Sequence, residues 1–408
     1  MKNILTKKIN LNFYEFLIFI FPLVVTLRSF ILNLYLVIIS LLTLVLIIKK
    51  KIEIHYIYKF FLLFLIYIFI NSFFSADTHK SIVSSFSQIR FFLFSIFLYN
   101  FASRSLFEKI KYYWLFFIVF ISIDCYLQLY SGKNIFGFAY DQNYFRLSGV
   151  FNDEYIVGYY IAIFSLIAVS LIKKNFQSKS AIFQDSLIIF LLIFFNITVL
   201  ITGERTSFLI ILVSTFLFIT LMFDIKKIIY FFIILISIFF TIFTKSNLFD
   251  DRYTEVVKII KNIPDSSYGR IFSSAFELWK NNKVTGVGLK NYRIECPNLR
   301  DPDINNQYPY CANHPHNYLL ELLVETGLVG SLLYMYFLSY IIISITKNFL
   351  NKHIKNKIKS DPFILMSFIL LLSYTMPIKT SGSIFSTLNA SIFWFVIAIN
   401  SSFLKNLK

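Results

Sequence analysis

HPHNYLLELLVETGLVGSLLYMYFLSYIIISIT, residues 314–346, opens on two of the chain's five histidines and is then mostly apolar, with two glutamates as its only charges. One bilayer crossing needs about 20 residues, so this stretch is too long for one simple span. Gly327 and Gly330 offer a natural break or a close-packing point within it. The reading is a short outside helix, Asn317 to Thr326, leading into a membrane helix. Pro315 marks its start, as proline does near helix N-termini. The apolar run is continuous rather than alternating, which points to a helix and away from a membrane barrel.

The same kind of run recurs along the whole chain. Hydrophobic residues make up 57% of the 408, charged residues 15%, and mean hydropathy is +0.68. A soluble domain carries about a quarter charged residues. About twelve spans are expected, at roughly 11–28, 30–48, 57–74, 82–101, 112–130, 152–172, 181–201, 206–223, 228–244, 318–346, 361–378 and 385–404. The first is no cleavable signal, because it is long and a second span follows without a small-residue cleavage site. The fold class is therefore all-α, a polytopic membrane helix bundle.

Short loops set the orientation. Lys7 and Lys8, Lys49 to Lys51, Arg104 with Lys109 and Lys111, Lys173 with Lys174 and Lys179, Lys226 and Lys227, five lysines from Lys347 to Lys359, and Lys405 with Lys408 fall on one side. The positive-inside rule makes that side cytoplasmic, together with both termini. The net charge of +17 is thus mostly a topology signal. Its bases form no single stripe, so nucleic-acid binding is not indicated. The chain divides into helices 1–9 (residues 1–244), a periplasmic loop with short helices (245–315), and a half-helix with spans ten to twelve (316–408). The loop holds ten bases and eight acids. Turn signals stand at NIPDSSYG and DPDINNQYP. It reads as a cap over one face of the bundle.

Cys125 falls inside span five and reads as a packing residue. Cys296 and Cys311 both fall in the outside loop, where an oxidising compartment would allow a disulfide. No CxxC or Cys/His zinc spacing is present, so no metal site is expected.

Candidate chemistry gathers at the outer face. His316 would stand beside a helix N-terminus at the membrane boundary, a place that depresses a histidine pKa. A neutral imidazole is what a general base requires. His314 is an equally titratable neighbour, and spacing alone does not choose between them. In ITGERTSF (201–208), Arg205 lies between two spans. The chain uses about three lysines for every arginine, so an arginine here points to planar, bidentate donors of the kind that suit phosphate. Glu204 could pair with it. Arg270 opens a probable surface helix in SSYGRIFSSAFELW, and the glycines of VTGVGLKNY could bring backbone amides near an anion, though a plain turn is the simpler reading. Arg146, in RLSGVFNDEYIVGYY, adds another outside cation. Arg28 and Arg90 lie within or at the outer ends of spans, where functional roles and helix pairing compete.

The order RLSG-F-N before a span, TGERT between spans, GR…FELW…TGVGLKNY in a large loop, then HPHN-x9-GLVG resembles the O-antigen ligase superfamily, which also holds O-antigen polymerases. Motifs cover about residues 140 to 345. The glutamate of GERT stands where serine is common. The resemblance implies a metal-independent, inverting glycosyltransferase of the bacterial inner membrane, acting in lipopolysaccharide biosynthesis without a cofactor. It implies a polyprenyl diphosphate-linked glycan as donor and a lipid A–core sugar or growing glycan as acceptor. His316 would be the base, and Arg205 and Arg270 would bind the diphosphate. His314, Arg146, Glu204 and Asn317 are second-tier candidates. His316 is preferred to His314 because it begins the HN-x9-GxxG spacing. A ligase is the favoured member and a polymerase the close rival. A protein O-oligosaccharyltransferase or a small-solute transporter is the more distant alternative.

Overall fold

In a computed structural model the chain is a helix bundle, described at residues 11–141, 145–152, 154–173, 179–245, 259, 261–299, 310–356, 361–377 and 379–405. Lys7, Lys8, Lys174, Lys357, Lys359, Lys408 and the turn at 301–309 lie outside the described residues. The helices are α1 (Phe13–Thr26), α2 (Arg28–Ile48), α3 (Tyr56–Asn71), α4 (Thr78–Phe101), α5 (Arg104–Ser131), α6 (Val157–Ile172), α7 (Lys179–Ile201), α8 (Arg205–Met222), α9 (Ile225–Lys245), α10 (Ser267–Asn281), α11 (Tyr292–Glu295), α12 (Tyr318–Asn356), α13 (Pro362–Tyr374) and α14 (Thr387–Leu404). Each of the twelve expected spans coincides with one of these helices. Eight segments are long and apolar enough to cross a membrane: α2, α3 with its following turn, α4, α5, residues 183–201 of α7, α8, residues 318–349 of α12, and α14. α1, α6 and α13 are apolar but shorter.

Local sequence explains the helix starts. Asn12 and Glu15 form a reciprocal capping box at α1, Asp77 accepts from Lys80 N at α4, and Asp361 caps α13 with Pro362 in the first turn. Each satisfies donors that a helix N-terminus leaves open. α6 and α14 are the central helices. In α6 every residue but Tyr159 is buried, and in α14 every residue from Ala390 to Leu404 is buried. A helix apolar on all sides belongs inside. The outer helices instead expose Phe30, Ile48 and Phe116 at 75% or more, as lipid-facing positions allow. Between apolar helices in lipid, packing and interhelical hydrogen bonds hold the bundle. Tyr58 and Ser401 hydroxyls meet at 2.6 Å, and Asn400 Nδ2 donates to Ser367 O at 2.8 Å.

α12 breaks where its glycines stand. Gly327 has φ +62° and ψ −169°, dividing a half-helix, 318–326, from the long helix beyond. Gly330 is the close-packing point, since a Cβ there would stand 2.7 Å from Tyr67 Cε1. The segment after α10 fills the break: Val287 N donates to Val324 O (2.9 Å), Gly288 N to Glu325 O (3.0 Å), and Leu328 N to Lys283 O (2.9 Å). The Val287 and Gly288 amides of VTGVGLKNY thus join the loop to the half-helix. The buried face of α10 includes Ala275 and Leu278, which pack with Val287, Tyr292, Cys296 and Val324, so α10 covers the half-helix.

Cys296 and Cys311 form a disulfide across 15 positions, and Cys125 is buried and free. Closing a ring of this length restricts the unfolded chain by about 3 kcal/mol. A Cys296→Ser, Cys311→Ser double variant is expected to open the segment around α11 to protease while leaving the membrane helices protected. Unchanged cleavage would show that the bridge contributes nothing to local stability.

Candidate active site

Five segments remote in sequence meet around one polar cavity of about 500 Å³. They are the α5–α6 loop, the α7–α8 turn, the start of α10, the HPHN segment and the strap between α13 and α14. The cavity is lined by Arg146, Glu204, Arg205, His314, His316 and Lys379, with Tyr155, Tyr159, Tyr268 and Tyr374 among its walls.

The α7–α8 turn is built by Gly203, whose φ of +72° favours glycine. A Cβ there would lie 2.2 Å from Phe145 O, and Leu147 N donates to Thr202 O at 3.2 Å. These contacts bring RLSG against TGERT and Arg146 beside Glu204. Glu204 is a pin between segments. Its carboxylate accepts from Gly158 N (2.6 Å), Tyr159 N (3.0 Å) and Ser207 Oγ (2.7 Å), capping the first turn of α6. Burial pushes it up to about 7, against the lowering pull of these donors and of Arg146. Arg205 occupies the first turn of α8. The Arg146 guanidinium lies over the Tyr155 ring at 5.6 Å.

The two histidines stack obliquely, ring centroids 4.2 Å apart, with Tyr268 edge-on to His316 at 5.8 Å. His314 Nε2 is 3.3 Å from Ser381 O. His316 sits at φ +54°, a left-handed conformation that costs roughly 1–3 kcal/mol in a non-glycine residue. Its carbonyl accepts from Ser381 N at 2.7 Å, which helps hold it there. Burial, then the neighbouring His314, pushes His316 down to about 4. His314 is pushed down to about 4 by burial, with Lys290 and Arg293 adding to it. Both rings are therefore neutral near pH 7. Burial is the main reason, where a helix N-terminus had been expected to be.

Asn317 lies just outside the cavity lining. It caps the half-helix through Leu320 N (3.1 Å) and donates from Nδ2 to Pro377 O (2.6 Å). Arg270 is not brought in: it is exposed on α10 and absent from the lining, because the buried face of α10 is the one that covers the half-helix. Lys379 was missed in the sequence. The only signal was a lysine in a short outside loop rich in Thr, Ser and Gly. Among the described residues no group of three His, Cys, Asp or Glu side chains is placed to hold a metal ion. A separate apolar groove of about 460 Å³ lies between α2, α3 and α4 and shares no lining residue with the polar cavity.

Residues 188–335 match the family model described as O-antigen ligase. The chain carries a domain of the O-antigen ligase superfamily. The matched segment runs from α7 to the first turns beyond Gly327, so it includes TGERT, α10, HPHN and both glycines of the α12 break. The O-antigen ligase domain thus contributes Glu204, Arg205, His314 and His316 to the cavity, while Arg146 and Lys379 reach it from outside the match. The superfamily is one of membrane glycosyltransferases, and the bundle fits lipid-linked glycan substrates. Comparison with curated proteins gives no match.

Proposed function

We propose that the chain is an O-antigen ligase-like, metal-independent, inverting glycosyltransferase. It moves a glycan from a polyprenyl diphosphate carrier to a lipid A–core sugar hydroxyl at the periplasmic face of the inner membrane. The observation that carries this reading is the convergence of a half-buried, neutral His316 with Arg146 and Arg205 in one cavity. His316 takes the proton of the acceptor hydroxyl as its oxygen attacks the anomeric carbon. The carbon–oxygen bond to the diphosphate breaks on the opposite side, inverting the configuration. Arg205 and Arg146 hold the departing diphosphate, where fixed cations in a dehydrated site act on charge as it develops. Arg146 replaces Arg270 in this reading, since Arg270 is exposed away from the cavity. Polymerisation of repeat units would use the same donor chemistry and differ in the acceptor.

Purified protein in vesicles, given a defined lipid-linked donor and a core acceptor, should transfer glycan. Solute uptake without transfer would reject the enzyme reading in favour of a transporter. Arg205→Lys should lower kcat/KM by about 100-fold, the scale for removing one fixed donor to a developing anion, because a lysine keeps charge but not the bidentate fork. A Lys variant as active as the parent would show that Arg205 supplies only charge.

A further inference from the structure

Among the described residues, the lysines that leave water have acidic partners, with one exception. Lys111 Nζ is 2.5 Å from Glu108, Lys173 pairs with Asp185, and Lys290 lies 3.9 Å from Glu321 and donates to Ser383 Oγ at 2.6 Å. Lys379 is only 6% exposed. Among the described residues it has no carboxylate within ion-pair distance and no hydrogen-bond partner for its Nζ. Its neighbour is the face of Tyr374, 4.5 Å away. A buried cation without a counter-ion is costly, and this one lines the same cavity as Arg146 and Arg205.

The strap that carries Lys379 is fixed on three sides. Thr380 Oγ1 meets Thr206 Oγ1 of α8 at 2.7 Å. Ser381 N donates to His316 O, and Asn317 Nδ2 to Pro377 O. Further along, the buried Glu321 carboxylate accepts from Ser383 Oγ at 2.5 Å and Ile384 N at 2.9 Å. Such anchoring holds a charge in place before a ligand arrives, which removes part of the ordering cost of binding.

We infer that Lys379 is a third cation for the donor's diphosphate, held ready beside His316 by the 376–386 strap. The inference rests on the glycosyltransferase reading above. The missing counter-ion is the ligand itself. The only acid lining the cavity is Glu204, and its oxygens are taken up by α6 and Ser207. Burial pushes the Lys379 ammonium down to about 8, so the contact is charged near neutrality and weakens as pH rises past that value. Arg146 and Arg205 line the same space.

Binding to the full-length protein in detergent tests this, with three probes: a polyprenyl diphosphate, inorganic diphosphate and the uncharged polyprenol. Lys379→Met should weaken polyprenyl diphosphate and inorganic diphosphate by about 10- to 100-fold, the range for a charge-assisted hydrogen bond. Polyprenol binding should not change, and Lys379→Arg should restore diphosphate affinity to within about threefold. The ligand-free Lys379→Met protein should melt no lower than the parent, since an uncompensated charge has been removed. A Met variant that binds the parent's diphosphate probes equally well overturns the inference alone. A Met variant that melts lower and loses polyprenol in equal measure makes Lys379 structural and also overturns it. A parent protein that binds no diphosphate overturns the donor reading together with this one.

Discussion

Replacing His316 by alanine is expected to lower glycan transfer by about 10²- to 10⁴-fold, the range that a positioned general base contributes. On a lipopolysaccharide gel of a chromosomal His316→Ala strain, a ligase gives bare core together with polymerised, carrier-linked glycan. A polymerase gives core bearing a single repeat. An unchanged ladder rejects His316 as the base. His314→Ala should cost less, on the order of tenfold, because that ring acts through its neighbour and a small misplacement of the base is enough to slow transfer. The pH profile provides a second check. The imidazole is neutral above about 4, so once Glu204, which titrates near 7, is replaced by Gln, kcat/KM of the free enzyme should stay level as pH falls from 7 to 5. An ordinary histidine would lose half of its base form near 6.5. The rings are close enough to titrate as a pair, so any apparent pKa belongs to both. A decline centred near 6.5 would count against the half-buried base.

Gly327→Ala is expected to destabilise the protein by roughly 3 kcal/mol or more, combining a backbone region open essentially to glycine alone with a steric clash. A Cβ at Gly327 would stand 2.2 Å from Val284 O and 2.5 Å from Gly286 N. Neither neighbour is a flexible side chain. The break could relieve the contact only by moving the 283–288 segment, whose bonds to Val324, Glu325 and Leu328 satisfy the interrupted helix. Thermal unfolding in detergent should therefore show a marked fall in Tm, with transfer lost because HPHN shifts with the half-helix. Gly330→Ala is the comparison. Its closest contacts are Thr326 Cβ and Oγ1 and Tyr67 Cε1 rather than backbone atoms, and its φ is not in the left-handed region, so its loss should be smaller. Equal losses at the two positions would refute the assignment of the break to Gly327.

Much of the site was legible because its elements carry local signals. The two glycines after HPHN do what their spacing implied: one breaks the helix and the other packs closely. TGERT reads as a link between two helical runs that bears an arginine, and helices do end at Ile201 and begin at Arg205. Other features were illegible because they depend on facing. Arg270 and Tyr268 stand on the same helix, but which of them meets the cavity follows from Ala275 and Leu278 packing against Val324. Glu204 reads as a partner for Arg205, yet its carboxylate caps α6, because Gly203 turns it toward the amides of Gly158 and Tyr159.

The sequence by itself determined the helical membrane bundle, since long apolar runs must satisfy their backbone internally wherever water is absent. It also determined the family of the segment that bears the histidines, because a short motif with fixed glycine spacing survives as a local pattern. Tertiary structure alone decided which charges share a cavity. Arg146, Arg205 and Lys379 come from three segments remote in sequence, and the packing of α6, α8 and α13 sets those segments side by side. It also decided the protonation of His316, because the burial that keeps the ring neutral is produced by neighbours far along the chain.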